Sequence, residues 1–426
     1  MIRKLLWPLA LALGLQAAMM TLLGQLALGE GLPRLPAATR CVNPGGTGGC
    51  FARIQDAINA SSAGDRVNVA SGVYTEHITM KEGVSVYGEG IFLTILDGGY
   101  AAAQSMVTFP PGVSASTVLS GVMIAGGGDG GTTAFVQGGG LNIEYASPSI
   151  TNVLIINNTA LRGGGVFVNS GSPTFDQALV WTNRAQDGGG FYLQNEADVT
   201  IRGNVFDPNV LAFGTVFSNT ATNEGGGLFI SPNVTATLTG LRVISNAAST
   251  GGGFYMVSNP YRVAIGLSDI SFNQASTLGG GFYGFRATNL LIGLNFINFN
   301  TAANEGGAMA FSQSGGLVQG NIFNGNRSTG GSGGAVSMFS TSTGPALKGN
   351  WFENNSASAG GGLNLETGAM PLVEANTFVT NTAALGGGIY MFQAGAVTVT
   401  NNIVANNIAT GGGNAGAGIA VVESPA

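Results

Sequence analysis

Three residues with reactive side chains stand immediately ahead of a glycine triplet in three consecutive repeats: Arg162 before Gly163, Asp187 before Gly188 and Glu224 before Gly225. A shared offset from the same backbone feature stacks them in neighbouring coils, with Arg184 nearby. Two carboxyl groups beside an arginine suit acid/base work on a glycosidic bond or a uronate, which makes Asp187 and Glu224 the candidate catalytic carboxylates and Arg162 their basic partner. The same spacing also fits a partly solvated charge ladder with no chemistry, and the residues alone leave both readings open. Elsewhere in the repeats the acidic residues occur singly. Neither an aromatic-acid pair nor a histidine recurs beside the three.

A second column is set by the position four residues after each triplet start. There Phe167, Tyr192, Phe229, Tyr255 and Tyr283 follow one another in five consecutive coils. If that position points outward, the rings form an exposed ridge about 20 Å long, and an exposed apolar stripe marks an interaction surface. A glycan chain along the ridge is the expected ligand. The competing reading is cross-strand packing that stiffens one face of a sheet.

What positions both columns is a repeat. Triplets of Gly-Gly-Gly or Gly-Gly-Ala begin at Gly138, Gly163, Gly188, Gly225, Gly251, Gly279, Gly306, Gly333, Gly360 and Gly386, so successive starts differ by 25, 25, 37, 26, 28, 27, 27, 27 and 26 residues. A fixed period of this length denotes stacked supersecondary units. Residues three and five after each start are apolar, as in Leu141 and Ile143, Val166 and Val168, Phe254 and Met256, and Ile389 and Met391. Period two places them on one face of a strand. Stacked in successive coils, they form apolar ladders in a continuous parallel sheet. Five to seven residues ahead of the triplets lie Asn158, Asn183, Asn219, Asn246, Asn273, Asn300, Asn326, Asn355, Asn381 and Asn406. An amide both donates and accepts, so identical amides can bond along the stack while satisfying turn backbone. The longest interval holds an insertion around Arg202 to Phe213. Such a loop leaves one face of the solenoid.

Composition narrows the classes. Glycine is abundant at 72 of 426 residues, but with only 14 prolines and no every-third-residue period collagen is excluded. Hydrophobic residues make up 44% and charged residues 8%, too apolar for disorder. The net charge of −6 and the absence of a basic cluster argue against nucleic acid and polyanionic partners. One histidine and two cysteines supply no structural zinc site, and Gly126 to Gly131 carries aspartate once, so a calcium β-roll is rejected. No cofactor is expected.

Arg3 and Lys4 followed by the apolar run Leu5 to Leu28 read as an export signal, 1–29, with an uncleaved anchor as the alternative. No other segment spans a bilayer. A linker follows over 30–40, then an N-terminal cap and first coils over 41–100, then repeats over 101–426. In an exported chain Cys41 and Cys50 are expected to bridge locally. Phe51, Ile54 and Ile58 lie at helical spacing, which suits a short helix covering one end of a solenoid.

The words Ile54-Gln55-Asp56-Ala57-Ile58, Gly64-Asp65, Gly72-Val73-Tyr74-Thr75-Glu76 and Gly88-Glu89-Gly90 resemble the N-terminal end of pectin-lyase-like right-handed parallel β-helices. The repeats resemble those of polymorphic outer-membrane proteins, in Gly306-Gly307-Ala308, Gly333-Gly334-Ala335, Phe323-Asn324-Gly325-Asn326, Phe352-Glu353-Asn354-Asn355 and Phe378-Val379-Thr380-Asn381. Together the resemblances imply a single-stranded, all-β solenoid on the cell surface or secreted. The expected function is an adhesion, interaction or structural module whose partner is a polysaccharide or another cell-surface protein. The alternative is a polysaccharide lyase or glycoside hydrolase. The last strand, at Gly416 to Ile419, has no cap after it, so the chain also reads as one portion of a longer exported protein.

Overall fold

In the computed structural model, residues 37–99, 103–128, 136–203, 215–339, 344–412 and 415–423 are described. The expected signal and most of the linker lie outside them, as does nearly all of the insertion after Arg202.

From Thr39 onward the chain winds as a right-handed parallel β-helix of about 13 turns. Three parallel sheets run its length and a fourth joins them from Thr159 onward. The first has 14 strands, from Thr39–Val42 to Thr398–Thr400; the second, built from the strand after each triplet, has 13 and ends at Ile419–Val422. The third has 13, from Gly72–Tyr74 to Ile403–Ala405, and the fourth has 10, from Thr159–Arg162 to Ile408–Ala409. Each strand pairs in register with its counterpart one coil on, as Val166 with Phe191 and Phe167 with Tyr192.

The apolar ladders fall where the triplet register puts them. Leu141, Ile143, Val166, Val168, Phe254 and Met256 are all fully buried, and Met391, near the last coil, is partly buried. Each full burial contributes about 1.5–3 kcal/mol as an upper figure. In the third sheet Phe323, Phe352 and Phe378 stack face to face with centroids 4.7 and 4.5 Å apart.

The first two residues of each triplet form a corner that only glycine fits. The first residue has φ between +59° and +68° in all ten coils. A Cβ on Gly252 would lie 2.4 Å from the carbonyl oxygen of Gln274 and 2.5 Å from that of Gly280, both backbone atoms of the next coil.

The asparagine ladder is present with one correction. It runs through Asn158, Asn183, Asn219, Asn246, Asn273, Asn300, Asn326, Asn355 and Asn381 to Asn407, whose Oδ1 accepts from Asn381 at 2.9 and 3.0 Å. Asn406 instead has φ +55° and occupies the left-handed turn position just before the rung. A second ladder, Asn295, Asn321, Asn350, Asn376 and Asn402, follows the first sheet in the later coils.

At the N-terminus a helix covers Ile54–Ala60 with Ile54, Ala57 and Ile58 buried. Phe51 lies ahead of it in a parallel bridge to Val42. Glu76 accepts from the backbone N–H groups of Ile54 and Gln55, at 2.7 and 3.1 Å, and so satisfies the helix start. Cys41 and Cys50 form the expected disulfide. No helix of the described residues is long and apolar enough to cross a membrane.

Candidate functional site: the seam between the second and fourth sheets

The residue before most triplets ends a fourth-sheet strand, while Gln137, Glu305 and Ser332 each join that sheet through an isolated bridge, and the residue four after the triplet start lies on the outward side of a second-sheet strand. The glycine corner folds one against the other. A consistent contact results: the residue before one triplet meets the outward residue of the next coil. The Arg162 guanidinium stands 5.3 Å over the ring of Tyr192, the Tyr255 hydroxyl donates to the Glu224 carboxylate, and the Ser337 hydroxyl donates to Glu305 at 2.6 Å.

This arrangement overturns the expected exposed ridge. Phe167, Tyr192, Phe229, Tyr255 and Tyr283 are 0, 6, 6, 7 and 8% exposed and form a small core of their own with Ala310. Their centroids follow at 5.7, 4.5, 5.0 and 5.5 Å, so each ring covers the next. The reason is the fourth sheet. Counting from the triplets treats the preceding residues as a turn, whereas they form strands beside the outward face of the second sheet. Ring faces are therefore closed to a ligand, and the tyrosines offer only their hydroxyl edges, where Ser231 bonds Tyr192 and Ser312 bonds Tyr283.

Arg162, Asp187 and Glu224 do stack as expected, through the pairs Arg162 with Asp187 and Asp187 with Glu224. The second pairing slips register, because Thr220–Glu224 has one residue more than Arg184–Asp187. A bulge of this kind re-aims the side chain that follows it. Among the described residues Arg162 closes no ion pair with Asp187; the carboxylate is bonded by Asn223 instead. Burial pushes the carboxyls of Asp187 and Glu224 above their ordinary range, against the opposing hydrogen bonds of Asn223 and Tyr255. Tyr255 is raised in turn, first by burial and then by the charge of Glu224, so it stays protonated and donates. Arg184 is exposed and takes no part.

The same seam carries two groups that sequence reading passed over. Near its N-terminal end Gln137 and Asn142 line, with Ser105 and Thr108, an open cleft of about 460 Å³, and the Asn142 Oδ1 has no hydrogen-bond partner. Further along, Glu305 occupies the register position of Glu224 three coils on, and bonds Ser337 and Asn364, while Asn364 also bonds Glu366. Burial is the main cause that pushes Glu305 up to about 7, and the nearby charge of Glu366 adds to it.

A carboxyl raised by folding stabilises the protein below its unfolded value and loses that contribution as pH rises through its folded value. For Glu305 the window runs from about 4.5 to about 7. The thermal midpoint is expected to fall across that window and to fall less in Glu305→Gln; an identical pH profile in the variant contradicts the assignment.

Among the described residues no group of three or more His, Cys, Asp and Glu side chains is placed to hold a metal ion. The seam thus carries the hydroxyls of Tyr192, Tyr255, Tyr283 and Ser337, the carboxyls of Asp187, Glu224 and Glu305 and the guanidinium of Arg162, interrupted by Phe167, Phe229, Leu278 and Ala310. Such a seam can hydrogen-bond an extended polar chain and, at Glu224 and Tyr255, exchange a proton with it.

The fold defines the chain as a right-handed parallel β-helix. The family model for the right handed beta helix region matches residues 115–270 and 222–426, and the chain belongs to that family. No curated protein sequence matches it significantly. Similar solved structures include a mannuronan C-5 epimerase A-module from Azotobacter vinelandii, at 14% identity and TM-score 0.43, covering 87% of this chain and 93% of that one. Another is a pectin methylesterase from Erwinia chrysanthemi, at 11% identity and TM-score 0.30, covering 68% and 81%. A pectin methylesterase mutant in complex with a hexasaccharide gives 13% identity and TM-score 0.35, covering 59% and 82%.

Proposed function

We propose that the protein is an exported, cell-surface or secreted β-helix module that holds a polysaccharide lengthwise along the seam. The observation that carries this reading is the stack of Arg162, Asp187 and Glu224 in consecutive coils about 4.8 Å apart, faced by the hydroxyl-bearing rings of Tyr192, Tyr255 and Tyr283. That step is close to the advance per residue of an extended glycan, so successive sugar units meet successive members of the stack. The role is adhesion or interaction with a glycan-bearing surface.

A lyase or hydrolase acting on the same chain is the second reading. It is favoured by one contact: Glu224 accepts from the protonated Tyr255 while burial raises its carboxyl, a pairing suited to proton transfer at a bound sugar.

Both readings are tested together by presenting the purified chain to a polysaccharide panel. Binding of at least one polysaccharide is expected, weakened about tenfold or more when Asp187→Asn and Glu224→Gln are combined, since hydrogen bonds to charged groups contribute about 1.5–3 kcal/mol. Product release that falls about 10²-fold or more in Glu224→Gln alone would select the enzyme. Binding to no glycan, or binding indifferent to the double substitution, overturns the proposal.

A further inference from the structure

On the first sheet, away from the seam, two local preferences are broken in adjoining coils. At the corner where the first sheet passes to the third, Gly240, Gly320 and Gly349 take left-handed backbone, at φ +65°, +65° and +60°. Between them in the stack Leu267 and Leu294 hold the same conformation, at φ +53° and +58°. Leucine is ill suited to that backbone, and neither side chain gains burial there: the two are 48 and 63% exposed.

The strand position just before the corner shows the opposite exchange. Thr239, Gly266, Gly293 and Gln319 stack in register on the outward side of the first sheet. Glycine weakens a strand interior, and neither Gly266 nor Gly293 is demanded by its backbone. Their φ values are not positive, and a Cβ on either would meet one atom within 4 Å, a carbonyl oxygen at 3.3 Å. A strand glycine that the fold does not require marks a close approach by something else.

Together the two exchanges cut a trough of about 480 Å³. Its floor is the bare backbone of Gly266 and Gly293; Leu267 and Leu294 wall one side, Ala264 and Leu291 the other. From Thr239 at one end to Gln319 at the other it follows the solenoid axis for three strand spacings, about 14 Å. The walls are hydrocarbon, and the backbone of the floor is already paired with neighbouring strands. A sugar or a peptide strand would find few partners along it. Arg262 lines the rim, closes no ion pair among the described residues, and shares the lining with no described carboxylate.

We propose that this trough binds a free long-chain fatty acid, its unbranched acyl chain along the glycine floor and its carboxylate at Arg262. A long, narrow, apolar groove with one cation at its rim matches that chemistry, and a concave floor is closed to a flat bilayer. The site lies on a different sheet from the seam and stands or falls apart from the polysaccharide reading.

Calorimetry on the full chain with laurate, below its micellar concentration, tests it. One laurate per chain is expected, with dodecyltrimethylammonium, a similar chain under the opposite charge, weaker by about tenfold or more and butyrate without measurable binding. Gly293→Val fills the floor and should weaken laurate by about tenfold or more while the thermal midpoint holds or rises, because valine suits a strand better than glycine. Arg262→Gln should weaken laurate severalfold and leave dodecyltrimethylammonium no weaker. Absence of laurate binding, or equal binding by Gly293→Val, overturns the site, and equal affinity for the two head groups overturns its assignment to an acid. Retention on phosphatidylglycerol vesicles that free laurate does not relieve would give the face to a bilayer. A dimer in light scattering that Gly293→Val dissolves would give it to a second copy, and either result removes the proposal.

Discussion

Replacing Asn246 by alanine should lower stability by about 3–5 kcal/mol, more than most single changes in the chain. The Asn246 Oδ1 accepts from the Asn219 N–H at 2.9 Å and from the Asn219 Nδ2 at 3.0 Å. Its own Nδ2 donates to the Val216 carbonyl at 2.9 Å and to the Asn273 Oδ1 at 3.0 Å. All of these groups are buried, so truncation strands the Asn219 N–H, one Asn219 amide hydrogen and the Val216 carbonyl, each at about 1–3 kcal/mol before relaxation. The ladder also holds backbone that would rather be elsewhere. Just before each rung sits a residue with positive φ, including Thr182 at 50°, Phe272 at 58° and Thr380 at 54°, conformations that bulky and β-branched residues avoid. Denaturant unfolding and hydrogen exchange at the Asn219 amide are the measurements. Asn406→Ala supplies the contrast, because Asn406 is a turn residue beside the rung and should cost about 1 kcal/mol or less. Equal losses in the two variants contradict the ladder.

The sequence states this ladder by repetition but places its last rung wrongly, and the reason is local. Asn406 and Asn407 are adjacent, and only the backbone decides which one turns and which one points inward. Triplet counting located the buried ladders because glycine at positive φ fixes strand register, and one register error would have moved Phe254 and Met256 to the other face. It failed for Tyr192 and Tyr255 because burial of an outward face depends on what lies beside it. The fourth sheet has short strands such as Arg184–Asp187 whose inward residues are single alanines, and a pattern so sparse resembles a loop. Glu305 was within reach, since it stands before its triplet as Glu224 does. Its partners Asn364 and Glu366 were not: they come from a strand two coils further on, and only the stacking geometry joins them.

Gly252→Ala should be among the most damaging changes of a single methyl group, at roughly 4 kcal/mol or more. The added Cβ would sit 2.4 Å from the Gln274 oxygen and 2.5 Å from the Gly280 oxygen. Neither atom belongs to a side chain that could swing away; both are backbone of the adjoining coil, and Gly280 is the equivalent glycine there. Relief therefore requires the two coils to separate. That separation breaks bonds on both sides of the corner, from the Gly252 N–H to the Gly279 carbonyl and from the Phe254 N–H to the Gly281 carbonyl. The next residues are Phe254, buried in the main core, and Tyr255, which bonds Glu224 across the seam. Loss of packing and loss of the Glu224 contact should thus appear together, as a lowered thermal midpoint and weakened glycan binding. Gly412 is the control: a Cβ there meets nothing within 4 Å, and Gly412→Ala should be nearly neutral. A Gly252→Ala protein whose midpoint stays within a few degrees of the parent would show that the coils yield where the packing says they cannot, and would leave the triplet as a turn preference alone.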